Sequence, residues 1–173
     1  TTFDANGKRT TTYENVTGTI ESWFGGHWNK SYKNEAHVFK FNVGVNMGYD
    51  KSKGFTNGEQ YIADGFDCTP RVGFTYEYGE LLTINPNYRV TFNETRYQNY
   101  VIESTSNVLH SLGLQTTSYW PKNWVFGNDF NYTYNSNIAD GFKKDFYLWN
   151  SSLAYSFFSK KFTAKVKVYD LLN

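Results

Sequence analysis

The sequence predicts an all-β protein, an antiparallel up-and-down meander of about eight strands that forms a transmembrane β-barrel or a segment of the wall of a larger barrel. Three observations predict this fold. Apolar and polar residues alternate along most of the chain, which is the period of a strand with two unlike faces. Aromatic residues make up 20% of the sequence. Short and long connections alternate between the predicted strands, and residues 1–173 contain no stretch typical of a linker between domains.

The first half of the chain predicts four strands. The clearest alternation runs from Val38 to Tyr49, where from the second residue onward an apolar side chain occupies every second position. Pro86 lies inside the fourth strand and cannot donate a backbone hydrogen bond, so we expect a bulge there. The other three strands are expected at about Thr12 to Trp28, about Thr69 to Tyr78, and Leu81 to Asn93.

The second half predicts four more strands with the same two-faced pattern. In one of them, aromatic residues alternate with small or polar residues, and only Asn128 interrupts the aromatic positions. Another carries lysines on its second face. These four strands are expected at Asn107 to Ser118, Trp124 to Tyr134, Tyr147 to Phe157, and Phe162 to Val168.

The predicted connections differ in length in a regular way. If short and long connections alternate in an antiparallel meander, all the long ones leave the same end of the sheet. The connection from Asn29 to Ala36 is intermediate and falls where a short one belongs. Short connections are expected at 78–80, 120–123 and 159–161, and long polar ones at 50–67, 94–106 and 136–145.

The composition excludes several classes of protein. Hydrophobic residues make up 39% of the chain and the mean hydropathy is -0.62, so no run of about 20 apolar residues could form a transmembrane helix. The net charge of +1 gives no reason to expect a nucleic-acid partner. The single cysteine, Cys68, excludes an internal disulfide and a multi-thiolate metal site. Because the chain opens at Thr1 without an initiator methionine, we expect a processed or excised piece.

The direction of the apolar face separates two architectures. A membrane barrel turns this face outward, and a soluble barrel turns it inward. Several apolar stretches reach about ten residues, which matches the ~9–11 residues that cross a bilayer at a tilt of ~45°. Tyr and Trp residues lie near predicted strand ends, as they do at membrane interfaces. A soluble lipocalin-like or carbohydrate-binding barrel remains the alternative, although it would have to enclose about thirty aromatic side chains.

Several segments resemble a known family. Trp120-Pro121-Lys122, residues 129–136, the loop 139–142, Trp149-Asn150 and the ending 168–173 (Val-Tyr-Asp-Leu-Leu-Asn) are similar to the C-terminal half of the outer-membrane β-barrel family of Bacteroidota, relatives of TonB-dependent receptors. The similarity covers most of the chain from about residue 13. Its strongest parts are the Asp-Gly-Phe loop and the Tyr-Asp-Leu-Leu-Asn ending, and neither is a catalytic motif.

This resemblance implies a nutrient importer in the outer membrane, with a barrel of about 22 strands around an N-terminal plug. It implies the TonB system and a surface lipoprotein as partners, besides the lipid bilayer and the rest of the barrel. Since residues 1–173 contain neither a plug nor a TonB box, and family members continue beyond the position of Asn173, we expect a segment of the larger wall. Closure as a small barrel, an open curved sheet and pairing with another copy all remain possible.

Candidate functional residues lie on the polar faces and in the long connections. We expect the polar-face side chains to line the lumen, where they either contact a substrate and a plug or only solvate a polar interior. The aromatic residues of the long connections could stack on a ligand or pack the loops together. The lumen-facing candidates are Arg71, Glu77, Arg89, Gln115, Asp129, Lys165 and Lys167, and the ligand-contact loop candidates are Phe55, Tyr61, Phe66, Tyr97, Tyr100 and Phe142.

No motif points to catalysis. The sequence has no nucleophile motif, no glycine-rich phosphate loop and no cluster with metal-ligand spacing. We therefore expect no enzymatic activity, no cofactor and no bound metal. The substrate, whether a small molecule, a peptide or a glycan, cannot be read from these residues.

Overall fold

The computed structural model describes residues 2–3, 5–11, 15–56, 58–158 and 161–172. Every regular element in these residues is a β-strand. Within the same ranges, no helix is long and apolar enough to cross a membrane. Two short strands near the N-terminus, β1 (Thr2–Phe3) and β2 (Arg9–Thr10), pair with each other.

Eight longer strands form one antiparallel sheet, so the predicted meander is confirmed. Each strand pairs with its neighbour in the chain, in the order β3 to β10. The register between neighbours stays constant along every pair. The strands are β3 (Ile20–Asn34), β4 (His37–Thr56), β5 (Glu59–Tyr78), β6 (Leu82–Gln98), β7 (Ser104–Ser118), β8 (Trp124–Asn135), β9 (Asp145–Phe157) and β10 (Phe162–Val168).

The sheet is open. In the part of the chain that is described, β3 and β10 form its two edges and do not pair with each other. Among the described residues, strands contact only their immediate neighbours, so the sheet is a single layer with neither a second sheet nor a helix packed against it. Of the arrangements that the sequence left possible, this is the open sheet.

The prediction for the first strand is wrong at both ends. Thr12 lies outside the described residues, and β3 begins at Ile20 and continues to Asn34. Its C-terminal half is polar, yet it pairs with β4 as far as Asn34 opposite His37. Only Glu35 and Ala36 then connect the two strands, so the intermediate connection is in fact a tight turn. Backbone pairing to β4 extends this strand where its side chains carry no apolar pattern.

Two of the predicted long connections are also wrong. β4 continues to Thr56 and β5 begins at Glu59, so residues 50–56 and 59–67 are paired strand and not a loop. Likewise, β6 and β7 leave only residues 99–103 between them. Polar residues can pair through their backbones when both faces of a hairpin meet water, and such a hairpin looks like a loop in the sequence. The predicted connection at 136–145 is confirmed, because residues 136–144 join β8 to β9.

No bulge forms at Pro86, so this prediction is wrong as well. Tyr76 lies opposite Ile84 and Gly73 opposite Asn87, so the register between β5 and β6 is the same on both sides of the proline. On its other side, Pro86 lies opposite Leu114 in β7. The proline therefore removes one donor from the ladder without inserting a residue.

The extended β4–β5 hairpin predicts which side chains can be cross-linked. Ser52 lies directly opposite Ala63, and side chains at opposite positions lie close enough for a disulfide. We expect Ser52→Cys with Ala63→Cys to form a disulfide on oxidation, seen as a mobility shift on a non-reducing gel. Ser52→Cys with Ile62→Cys is the matched control, because those side chains point to opposite faces. Equal cross-linking of both pairs would contradict the strand and its register.

Candidate functional site

The register sorts the side chains of the sheet into two faces. Residues that lie directly opposite each other point to the same face. The apolar face is defined here by Phe39, Val43 and the residues in register with them, and the polar face by Asn42 and its partners. On the apolar face, β4 contributes Phe39, Phe41, Val43, Val45, Met47 and Tyr49, which lie opposite Tyr76, Phe74, Val72, Pro70, Cys68 and Phe66 of β5.

Nothing within the described residues covers the apolar face. Val166 is 67% exposed and Val43 is 49% exposed, and the buried hydrophobic residues in these ranges are Ala63, Val90 and Ala154. The accessible surface is 13070 Å², whereas a folded soluble monomer of 20.1 kDa has roughly 8,700 Å². The face therefore needs a cover that lies outside these residues.

Cross-strand pairs give the apolar face its internal order. Ring centroids lie 4.9 Å apart in Phe41–Phe74 and in Tyr132–Tyr147, within the range of favourable aromatic pairs. Polar atoms on this face are also paired. The Tyr88 hydroxyl and His110 Nδ1 are 2.6 Å apart, and His37 Nδ1 lies 2.9 Å from the Tyr76 hydroxyl.

Asn128, the residue that interrupts the aromatic pattern, has hydrogen-bond partners on the apolar face. It lies between Thr116 and Ser151 in the register. Its amide nitrogen donates to the Thr116 hydroxyl at 3.3 Å, and the Trp149 indole nitrogen donates to its amide oxygen at 3.2 Å. The cost of a polar group in apolar surroundings is therefore reduced by two neighbours.

All seven lumen-facing candidates lie on the polar face. Glu77 forms an ion pair with Lys40 of β4. Gln115 lies directly opposite Asp129, and the Asp129 carboxylate accepts a hydrogen bond from Asn131 at 2.9 Å. Lys165 and Lys167 are exposed on the edge strand β10, and Arg71 lies directly opposite Arg89. Register thus brings together the Gln115–Asp129 pair and the arginine pair, and it leaves the other candidates apart.

Glycines on the polar face make room for polar side chains of the next strand. A Cβ atom at Gly73 would lie 2.5 Å from the Asn42 amide, and one at Gly113 would lie 2.7 Å from the Asn87 amide. Gly65 has the same relation to the Asp50 carboxylate. Each polar side chain therefore lies across a neighbouring glycine, where any other residue would force it to move.

Four of the six loop candidates are not in loops. Phe55 lies in β4, Tyr61 and Phe66 in β5, and Tyr97 in β6, because these strands extend beyond the apolar pattern. Tyr100 lies in the connection 99–103 and Phe142 in the connection 136–144. Tyr61, Tyr97 and Tyr100 pack together, and the Tyr100 ring lies 4.8 Å from Tyr61 and 5.1 Å from Tyr97. Contact of these aromatic residues with a ligand stays a prediction.

A charged cluster that sequence reasoning missed ends the apolar face on the side of the β4–β5 hairpin. The Tyr49 hydroxyl donates to Asp64 at 3.0 Å, and Lys51 lies 3.7 Å from the same carboxylate. Arg96 pairs with Glu94 at 2.8 Å on the neighbouring strand. These residues come from three strands, so only the register brings them together. The change from aromatic to charged side chains marks the boundary of the apolar surface.

Neither a metal site nor a similarity to known proteins identifies a function for this sheet. Within the described ranges, no group of three or more His, Cys, Asp or Glu side chains could hold a metal ion. Comparison of the chain with protein-family models, curated proteins and solved structures returns no match.

The Trp149–Asn128 bond predicts a coupling between two positions. We expect Trp149→Phe to lower the free energy of unfolding by about 1 kcal/mol, because it leaves the Asn128 amide oxygen without that donor. In the Asn128→Leu background, the same change should cost less, since no amide oxygen remains to lose a partner. Urea unfolding of the four variants in detergent micelles measures the difference as a double-mutant cycle. An additive cycle would show that this bond does not contribute to stability.

Proposed function

We propose that this chain forms part of the wall of an integral outer-membrane β-barrel, in a nutrient importer that resembles TonB-dependent receptors, and that it performs no catalysis. The observation that carries the membrane part is an uncovered apolar band whose length and slant fit a bilayer. Nutrient import follows from the resemblance of residues 129–136, 139–142 and 168–173 to the Bacteroidota family.

The apolar band has the length that a membrane strand requires. On the apolar face it runs from Phe39 to Tyr49 in β4, from Leu82 to Phe92 in β6, and from Tyr147 to Phe157 in β9. Each of these stretches spans eleven positions, and a tilted transmembrane strand needs about 9–11. β4 and β5 each have 20 residues, so their hairpin projects well beyond the band.

The band is oblique to the rows of paired residues. In β4 its centre is Gly44, and in β9 its centre is Ser152. Directly opposite residues form a row across the sheet. The row that starts at Gly44 in β4 reaches β9 at Phe146, which lies six residues before the band centre at Ser152. The band therefore shifts by six residues along the strands, roughly 20 Å, while it crosses five strand spacings, roughly 24 Å.

This shift corresponds to a strand tilt of about 40° from the normal of the band. Strands of outer-membrane barrels tilt by about 35–45°. A sheet whose apolar band follows a bilayer at this slant has the geometry of a barrel wall, with the polar face toward the lumen. The bilayer would cover the apolar face, and the remaining strands of the barrel would pair with β3 and β10. A plug, the TonB system and a surface lipoprotein are the further partners that we propose.

The soluble barrel alternative has no observation that favours it. It requires the apolar face to line a closed cup, whereas in the described residues the face is open and the edge strands do not pair.

Substitution by arginine on the two faces tests the proposal. Val45 and Val166 lie on the apolar face, and Asn46 and Lys167 are their neighbours on the polar face. We expect Val45→Arg or Val166→Arg to block assembly, because an arginine facing lipid near the midplane costs about 2–4 kcal/mol. Asn46→Arg and Lys167→Arg should assemble normally. Insertion into lipid vesicles, followed by alkaline extraction, gives the measurement.

If all four variants insert equally, or if only the two polar-face variants fail to insert, the assignment of the apolar face to lipid is contradicted. A chain that is a stable monomer in detergent-free buffer would contradict a membrane location altogether.

A further inference from the structure

Two arginines face each other at the centre of the polar face. Arg71 of β5 lies directly opposite Arg89 of β6, and like charges at opposite positions destabilise a sheet. Lys40, Lys51 and Arg96 each have a carboxylate within salt-bridge distance. Neither arginine of the pair has such a partner among the described residues, so the sheet leaves their charge unneutralised.

The surroundings of the pair are neutral. Its row also carries His27, Gly44, Ser111, Thr133 and Phe146. The two rows beside it hold Asn, Thr and Gly, together with Leu109 and Leu148, and within the described strands none of the three rows has an acidic residue. The nearest carboxylate on β5 is that of Asp67, four residues away, or roughly 13 Å along the strand. The positive charge is therefore concentrated in a field of amides and hydroxyls.

The two arginine side chains are accessible, and that of Arg71 lies toward β4. The Arg71 guanidinium lies across Gly44, where its Nε would be 2.8 Å from a Cβ atom. With the Asn46 amide turned so that its oxygen faces the arginine, this oxygen accepts from Arg71 Nη1 at 3.1 Å. Both arginines are exposed. Arg71 is thus held over Gly44 by one bond, and both arginine side chains are accessible from the polar side.

We propose that Arg71 and Arg89 together bind the carboxylate or phosphate group of a hydrophilic, hydroxyl-bearing solute. This inference rests on the proposed function, in which the polar face lines an aqueous path. Guanidinium groups bind planar or tetrahedral oxyanions through paired N–H donors. Cβ atoms at opposite positions lie about 5 Å apart, so the two long side chains can reach one anion once the Arg71 guanidinium moves off Gly44. The neighbouring Asn42, Asn87 and Ser111 supply donors and acceptors for hydroxyl groups of the same solute.

Three sugars with a common ring test the charge requirement. Glucuronate carries a carboxylate, glucose 6-phosphate carries a phosphate, and glucose carries neither. We expect titration calorimetry of the full chain in detergent micelles to show at least one of the two anionic sugars binding roughly tenfold or more tighter than glucose, with weaker binding at higher salt. The preferred anion identifies the group that the pair takes. This comparison needs no variant and does not depend on refolding a mutant.

Variants then assign the effect to the pair. Arg71→Gln and Arg89→Gln should each lower the affinity for the preferred anion severalfold, and the double variant should bind it no better than glucose. Arg96→Gln is the matched control, because Arg96 lies on the other face of the sheet and pairs with Glu94. Full affinity in the double variant, equal loss in the control, or equal affinity of all three sugars for the unmodified chain would overturn the proposal. Failure of the arginine-insertion test with a retained anion preference would instead refute the membrane location alone.

Discussion

A single-layer sheet has no interior, and this constraint governs the rest of the molecule. Among the described residues, Ala63, Val90 and Ala154 are the buried hydrophobic residues, all of modest size. The strands are held by backbone hydrogen bonds and by side-chain pairs between neighbours, such as Phe41 with Phe74. Neither removes a whole face from water. The hydrophobic stabilisation that a globular domain finds in its core must here come from the material that covers the apolar face.

The two faces meet this constraint in different ways. On the apolar face, isolated polar groups have partners, as Asn128 does with Thr116 and Trp149. On the polar face, glycines alternate with amides and charged groups across the strands, so that side chains such as Asn42 lie flat on the sheet. This face is largely polar, with the pair of Arg71 and Arg89 as a local concentration of positive charge.

Alternation in the sequence was sufficient to predict the eight long strands and the side to which each residue belongs, because apolar and polar residues occupy alternate positions along most of each strand. It did not predict the end of β4 or the start of β5, since Asp50 to Asp67 is rich in polar residues and glycine, lacks a regular apolar alternation and looks like a loop. The register between neighbouring strands was also beyond its reach. Register places Arg71 opposite Arg89, and the pairing of β5 with β6 brings Tyr61 beside Tyr97 and Tyr100.

The β4–β5 hairpin ends in a turn at Gly58, where φ is 85° and a Cβ atom would meet no other atom within 4 Å. The last aromatic residue of the β4 band, Tyr49, lies seven residues below the end of the strand at Thr56, roughly 23 Å away. The tip is thus remote from both the apolar band and the arginine pair. A peptide tag or epitope inserted at this turn would be displayed at the end of a two-stranded hairpin, outside the paired residues of the sheet.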